Sequence, residues 1–398
     1  MKKTLIALAA LTVTGAFAQS AVTIYGRAHV AYDFTYQTTG SVAGAAGDLK
    51  NRRRVSDDSS RIGFRISEDL GGGLRAFSVI ETGVNIDTAT NNGQSGSANS
   101  GSGYFGTREA HVGIGNNTAE VRLGRQNVFW GNGPIEDVGA NRISGGVGGA
   151  FSAASSGWLT VPSARQDNTL KLFGGSALGG FAGSEVWIAH PVPAESTAAG
   201  TDVKAAAQGA TVRYVMGPFA VQYDYAVSKN TANSLTDATN ATNTGAKLGL
   251  AYTYAPGSKV YVNNTVLSRE YSLAASNTAA LSVSSAGVLG TTGQREQTSN
   301  QVGVQHRMGK LELHGQYVTQ GNVKGYNNVT LADSGAKAYT VAARYELSNR
   351  TALTTSYNVL TNGAANNINM SGGGQSSVSA LIAGTDLKVL RASIQHQF

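Results

Sequence analysis

The feature that most constrains this chain is a period of two. In "VTIYGRAHVAYDF", Val22, Ile24, Ala28, Val30, Tyr32 and Phe34 fall on one side, and Tyr25, Arg27, His29 and Asp33 on the other. "SRIGFRIS" sets Ile62, Phe64 and Ile66 against Arg61, Arg65 and Ser67. "KAYTVAARYEL" sets Tyr339, Val341, Ala343, Tyr345 and Leu347 against Thr340, Arg344 and Glu346. Successive side chains of a strand point to opposite faces, so these segments read as two-faced strands. No helical period competes over comparable lengths. The alternation reaches the last residue: in "VLRASIQHQF", Leu390, Ala392, Ile394, His396 and Phe398 share a side. Chain ends are usually frayed and polar, so an ordered, apolar end implies a strand with a partner.

The connections alternate as well, short then long. Tight turns fall at 70–73, 115–118, 174–180, 216–218, 255–258, 307–310 and 347–350. Longer Gly/Ser/Asn/Thr loops fall near 37–58, 87–103, 128–165, 190–203, 229–244, 271–295, 322–334 and 362–385. The first of these carries the adjacent acids Asp57 and Asp58. Together the connections join sixteen strands, the first about 21–36 and the last about 386–398. All six prolines lie in connections, where a missing donor breaks no ladder.

Mean hydropathy of −0.14 is that of a soluble protein. It does not exclude a transmembrane β-barrel, whose lipid-facing and water-facing residues alternate and cancel in any average. Short turns at one end and long loops at the other describe such a barrel in an outer membrane. A soluble sandwich should favour large residues on its hidden face over this much Ala, Gly and Tyr. A solenoid should repeat at a fixed length. In a barrel the last strand pairs with the first, because an open edge in lipid leaves backbone groups unsatisfied.

The start "MKKTLIALAALTVTGAFA" has a basic head, a short apolar run and a small-residue end, which predicts a signal peptide over 1–18 and a mature chain over 19–398. Removing Lys2 and Lys3 lowers the formal charge from +7 to +5 (7 − 2). The remaining excess is dispersed, without the clustered basic face that nucleic acid requires. Cysteine is absent, which removes disulfides and thiolate chemistry. The six histidines form no ligand motif, with His29, His111 and His314 alternating as lumen-facing residues. The glycine runs lack a Walker lysine or a strand–helix setting. No catalytic constellation, metal site or cofactor site is expected.

Six stretches, "QSAVTIYGR", "SRIGFRISEDLGGGLRAFSVIE", "REAHVGIGNNTAEVRLGRQ", "RQDNTLKLFGG", "LSNRTALTTSYN" and "IQHQF", carry a resemblance to Gram-negative general diffusion porins of the β-proteobacterial type. The resemblance covers essentially the whole mature chain. It implies a homotrimer of sixteen-stranded barrels in the outer membrane, among lipid and lipopolysaccharide. Each barrel would pass small hydrophilic solutes and ions. It also implies an inward-folded third loop, here 128–165 with Glu136 and Asp137, facing wall arginines at Arg61, Arg108 and Arg165. Arg27 and Arg65 lie on the same polar faces and join that set. Phe398 matches the residue that the outer-membrane assembly machinery reads.

Arg61 and Arg165 agree with alternation, the latter sharing a face with Asp167 and Thr169. Arg108 does not, since Ala110, Val112 and Ile114 would turn it toward lipid; a bulge between Arg108 and Ala110 would turn it back. The net charge and wall arginines predict a modest anion preference. The alternative is a solute-specific channel on the same barrel, which should show a run of lumen aromatics. An outer-membrane enzyme or adhesin would need a nucleophile site or an extra domain, and the sequence has neither.

Overall fold

The computed structural model describes residues 21–39, 52–87, 106–128, 155–156, 159–160, 164–189, 207–230, 241–272, 292–325, 329–366 and 383–398. Among them, sixteen strands form one closed antiparallel sheet. They are β1 (Ala21–Thr39), β2 in two pieces (Arg52–Asp57 and Arg61–Gly71), β3 (Leu74–Gly83), β4 (Glu109–Gly115) and β5 (Ala119–Val128). Then come β6 (Ala164–Gly174), β7 (Glu185–Ala189), β8 (Ala207–Met216), β9 (Phe219–Asn230), β10 (Ala241–Ala255) and β11 (Ser258–Ser272). The ring is completed by β12 (Thr292–Met308), β13 (Leu311–Gln320), β14 (Ala336–Glu346), β15 (Thr351–Asn362) and β16 (Asp386–Gln397). Each strand pairs with its neighbours in sequence, and β16 pairs with β1 from Gln397↔Arg27 to Asp386↔Thr39.

Burial is inverted relative to a soluble protein. Val22 and Ile24 are 62% and 60% exposed, while Asp33 and Arg391 are 1% and 0% exposed. The apolar members of each alternating pair face out and the polar members face in, as lipid outside and water inside require. Outward aromatics gather near both rims: Phe219–Tyr252 and Phe181–Tyr214 by the short turns, Tyr32–Phe34 toward the other end. Rings of this kind suit the membrane–water boundary, with an apolar body and, in tyrosine, a wet tip.

Six of the seven tight turns form around a glycine, and the seventh, 347–350, around Ser348 and Asn349. Gly71, Gly72 and Gly73 take φ of 85°, 61° and 80°, a consecutive left-handed run that only glycine makes without strain. The terminal Phe398 is hydrogen-bonded to Gly26 in both directions, at 3.0 and 3.1 Å. Its ring lies over Gly26, where a Cβ would stand 2.3 Å from Cζ.

One boundary differs from expectation. The first long loop does not reach residue 58, because β2 rises to Arg52 and pairs with β1 from Asp57↔Val30 to Arg52↔Thr35. Asp57 and Asp58 are therefore buried in the barrel wall, 2% exposed each, and not in an outer loop. An interruption of the strand between the two halves of β2, at Asp58–Ser60 with Ser59 at φ 65°, hides this strand from a pattern reading. The predicted signal peptide 1–18, Glu136 and Asp137 lie outside the described residues.

Candidate functional site

The lumen side of β1–β6 carries an arginine-rich recess of about 570 Å³. Six arginines and three glutamates line it. Glu81 on β3 is the organising acid of its upper half. Its carboxylate takes Arg108 Nε at 2.7 Å, Arg61 Nε at 3.4 Å and the Tyr25 hydroxyl at 3.1 Å. Tyr25 reaches it by lying flat over Gly63, where any Cβ would meet the ring at 2.6 Å. Arg165 lines the same recess; its Nε is buried with no hydrogen-bond partner among the described residues.

Arg27 sits above, opposite Arg61 in the ladder. The break in β2 frees backbone carbonyls, and Arg27 Nη2 donates to those of Asp58 and Ser59 at 3.1 and 3.0 Å. A buried carbonyl without a donor would be destabilising, so this arginine has a structural duty as well as a charge. Arg65 lies below, with its guanidinium 4.1 Å from the centre of the Tyr25 ring.

The three wall arginines thus converge, each by a different local route. Arg61 is delivered by plain alternation at the start of the lower half of β2. Arg108 is buried and faces inward, but not through a bulge: β4 begins only at Glu109, and Arg108 stands in a bend before it, its N–H on the Glu81 carbonyl at 2.9 Å. Arg165 comes from a distorted stretch, where the β5–β6 ladder slips between Gly124 and Gln126 opposite Asn168 at φ 47°.

Sequence reasoning missed Glu81, and β3 explains why. Phe77 and Val79 share the inner face with Glu81, so apolar residues stand on both sides of that strand and alternation gives no contrast. Glu120 and Arg122 were missed too, although Val121 and Leu123 mark the opposite face and the alternation there could have found them. His29, His111 and His314 are buried on the inner side as expected, at 2%, 6% and 6% exposure. Among the described residues no cluster of histidines and acids could hold a metal.

A second polar cluster closes the seam. Arg391 on β16 pairs with Asp33 at 2.8 Å, donates to Ser56 Oγ at 2.8 Å and stands 4.0 Å from Asp58. Arg54 and Ser56 both reach the other Asp33 oxygen, at 3.2 and 2.7 Å. His29 lies between Asp58 at 3.5 Å and Ser393 at 3.2 Å. These contacts tie β16, β1 and the upper piece of β2 together from within.

The far wall, β8–β15, is largely lined by amides and hydroxyls. Asn263 donates to Gln301 at 3.0 Å, and Thr340 to Asn358 at 2.8 Å. Its charges near the short turns occur as matched sets, such as Arg307 and Arg344 with Glu312 and Glu346.

A closed sixteen-stranded barrel with a charged inner wall sets up the comparison with known proteins. The family described as Gram-negative porin matches residues 4–365. The chain belongs to this porin family. Membership sets it among outer-membrane channels and not among enzymes. Over 127 residues the porin is 39% identical to outer membrane porin protein 32 of Delftia acidovorans, and over 143 residues 32% identical to major outer membrane protein P.IB of Neisseria gonorrhoeae. Those matches span about a third of each chain: 31% and 35% of this porin, 32% and 35% of the relatives. Among solved structures, an anion-selective porin from Comamonas acidovorans shares the fold with a TM-score of 0.64 and 20% identity, covering 96% of this porin and 100% of that chain. The trimer form of OmpT of Vibrio cholerae aligns with a TM-score of 0.63 at 13% identity, over 95% and 99% of the two chains.

Proposed function

We propose that this porin is a water-filled outer-membrane pore for passive diffusion of small hydrophilic solutes and ions, with a modest preference for anions. The observation that carries the reading is the positive charge of the inner wall: six arginines against three glutamates in the recess, with Lys247 and Arg295 buried among the amides of the wall opposite. Fixed charges in a narrow, partly desolvated passage are screened less than surface charges, so a few of them bias permeation. The name of the Comamonas acidovorans neighbour, an anion-selective porin, points the same way.

In this reading residues 1–18 are a cleaved signal, the barrels assemble as trimers among lipopolysaccharide, and the 128–165 loop folds inward with Glu136 and Asp137 opposite Arg61, Arg108 and Arg165. The trimer form recorded for the Vibrio cholerae neighbour supports the assembly state. A short antiparallel pair, 155–156 with 159–160, belongs to that loop, and its second half lies close to β11 across the lumen side; this supports an inward course. Arg27 and Arg65 extend the basic wall above and below.

Purified porin in a planar bilayer under a KCl gradient should give a reversal potential of anion-preferring sign. A cation-preferring or strictly non-selective pore would refute the charge argument. Phe398 is read as the assembly signal. Its deletion should reduce folded trimer in the outer membrane while export to the periplasm continues; unchanged trimer would reduce Phe398 to a packing residue on Gly26.

A further inference from the structure

The lower half of the arginine recess has an arrangement that a general screen of charge does not require. Arg75 on β3 and Arg122 on β5 both pair with Glu120, the latter through Nε at 2.9 Å. Arg122 stacks on Phe173 at 4.2 Å and faces Phe77 at 5.6 Å, with Arg75 on the other part of Phe77 at 5.4 Å. Arg65 stacks on Tyr25 and makes no ion pair among the described residues. Glu109 lines the same recess, with its carboxylate 3.9 Å from His111 Nδ1. Lys171 is paired with Glu185 at 3.1 Å, and Asp69, opposite Arg75 in the ladder, accepts the N–H of Gly71 at 2.8 Å in the turn.

Glu120 is therefore committed to Arg75 and Arg122, and Arg65 stands beside them without an acid of its own among the described residues. Each guanidinium is held against an aromatic face, which fixes its plane and leaves N–H donors free at its edge. Side chains so pre-organised lose little freedom when an oxyanion arrives, and planar donor forks match its oxygens. An arginine meant only to stabilise the barrel would be paired and shut off from water, as Arg391 is. Here Arg75 keeps 49% of its side-chain surface.

We propose that Arg65, Arg75 and Arg122 form a saturable binding station for small polyvalent oxyanions at the short-turn end of the lumen, with Glu120 lowering its affinity. The proposal rests on the reading of the lumen as an aqueous path. A single-charge ion gains from one guanidinium at a time, whereas a polyvalent oxyanion can bridge two or three. Glu120 competes for the same donors and keeps the station weak enough to release what it holds, which conduction requires.

The test is block of KCl current by inorganic pyrophosphate, added to both sides of a planar bilayer at constant ionic strength. In the natural porin the current should fall along a saturating curve. The double variant Arg65→Gln with Arg75→Gln removes two partly exposed charges and should raise the half-blocking concentration roughly three- to tenfold, as loss of one or two charge-assisted contacts implies. Glu120→Gln should lower it by a similar factor. If Glu120→Gln does not fold, the double variant decides alone. Pyrophosphate that fails to block, or a block indifferent to the double variant, overturns the station while leaving the channel intact. A protein that passes no KCl current fails the channel reading itself.

Discussion

Arg391 and Arg61 are the same side chain on nearby parts of one inner wall, β16 and β2, with only β1 between them. Arg391 has no exposed surface and is surrounded by Asp33, Asp58 and Ser56. Arg61 shares the single carboxylate of Glu81 with Arg108, in a recess where arginines outnumber acids two to one. The contrast separates two uses of buried charge. Where acids match the arginine and water is excluded, the pair fixes geometry. Where arginines are in excess and water remains, the surplus charge acts on whatever passes.

The largest expected effect lies at the seam. Arg391→Leu would take the fully buried cation from Asp33, leaving it Arg54 alone, and breaking a buried pair from one side typically costs about 3–5 kcal/mol, here toward the lower figure. The variant should show a lower urea midpoint of barrel unfolding in detergent and less folded protein in the membrane. Ion preference should change little in whatever barrel does fold. A variant as stable as the natural porin would mean that the backbone ladder alone closes the seam, and the contrast with Arg61 would lose one side.

The opposite outcome is expected in the recess. Replacing Arg61 and Arg165 with glutamine should lower the anion-to-cation permeability ratio by roughly twofold per charge, since a partly exposed charge interaction is worth about 0.5 kcal/mol. The shift should shrink as KCl concentration rises, because screening shortens the reach of the remaining arginines. Unfolding midpoints should move less than in the Arg391 variant. A reversal potential untouched by the double change would show that these side chains do not act on the permeating ions.

Most of the barrel was legible in the sequence, and the reason is physical. A strand between lipid and water has no choice about which face is polar, so segments such as Val22–Phe34 and Leu390–Phe398 announce their orientation. Legibility ends where the backbone leaves regular pairing. The break at Asp58–Ser60 made a wall segment look like loop and carried Asp57 and Asp58 with it. The bend before Glu109 brings Arg108 inward by a route that counting by twos does not follow, whereas Arg165 faces the recess as counting expects although the ladder slips opposite Asn168. Glu81 was invisible for a different reason, since Phe77 and Val79 keep it company inside. The aromatic faces that hold Arg65 and Arg122 depend on glycines directly opposite in the ladder, Gly63 under Tyr25 and Gly113 under Phe77, a relation that only register reveals.

The smallest effect should come from the far wall, and it sharpens the comparison most. Asn263→Ala removes a donor to Gln301 and changes no fixed charge. Loss of one such neutral hydrogen bond costs about 0.5–1.5 kcal/mol, less where water can take its place, as it can in an aqueous lumen. The reversal potential in a KCl gradient should stay where it is, because no fixed charge has changed. Conductance should rise slightly as the side chain shortens. If ion preference moved as far as it does for the paired arginine changes, selectivity would follow the shape of the whole lumen and not the charge of one wall. An unchanged preference leaves the fixed charges of the lumen, the arginine-rich recess first among them, as what distinguishes one ion from another, with the amides around Asn263 acting as a wettable surface.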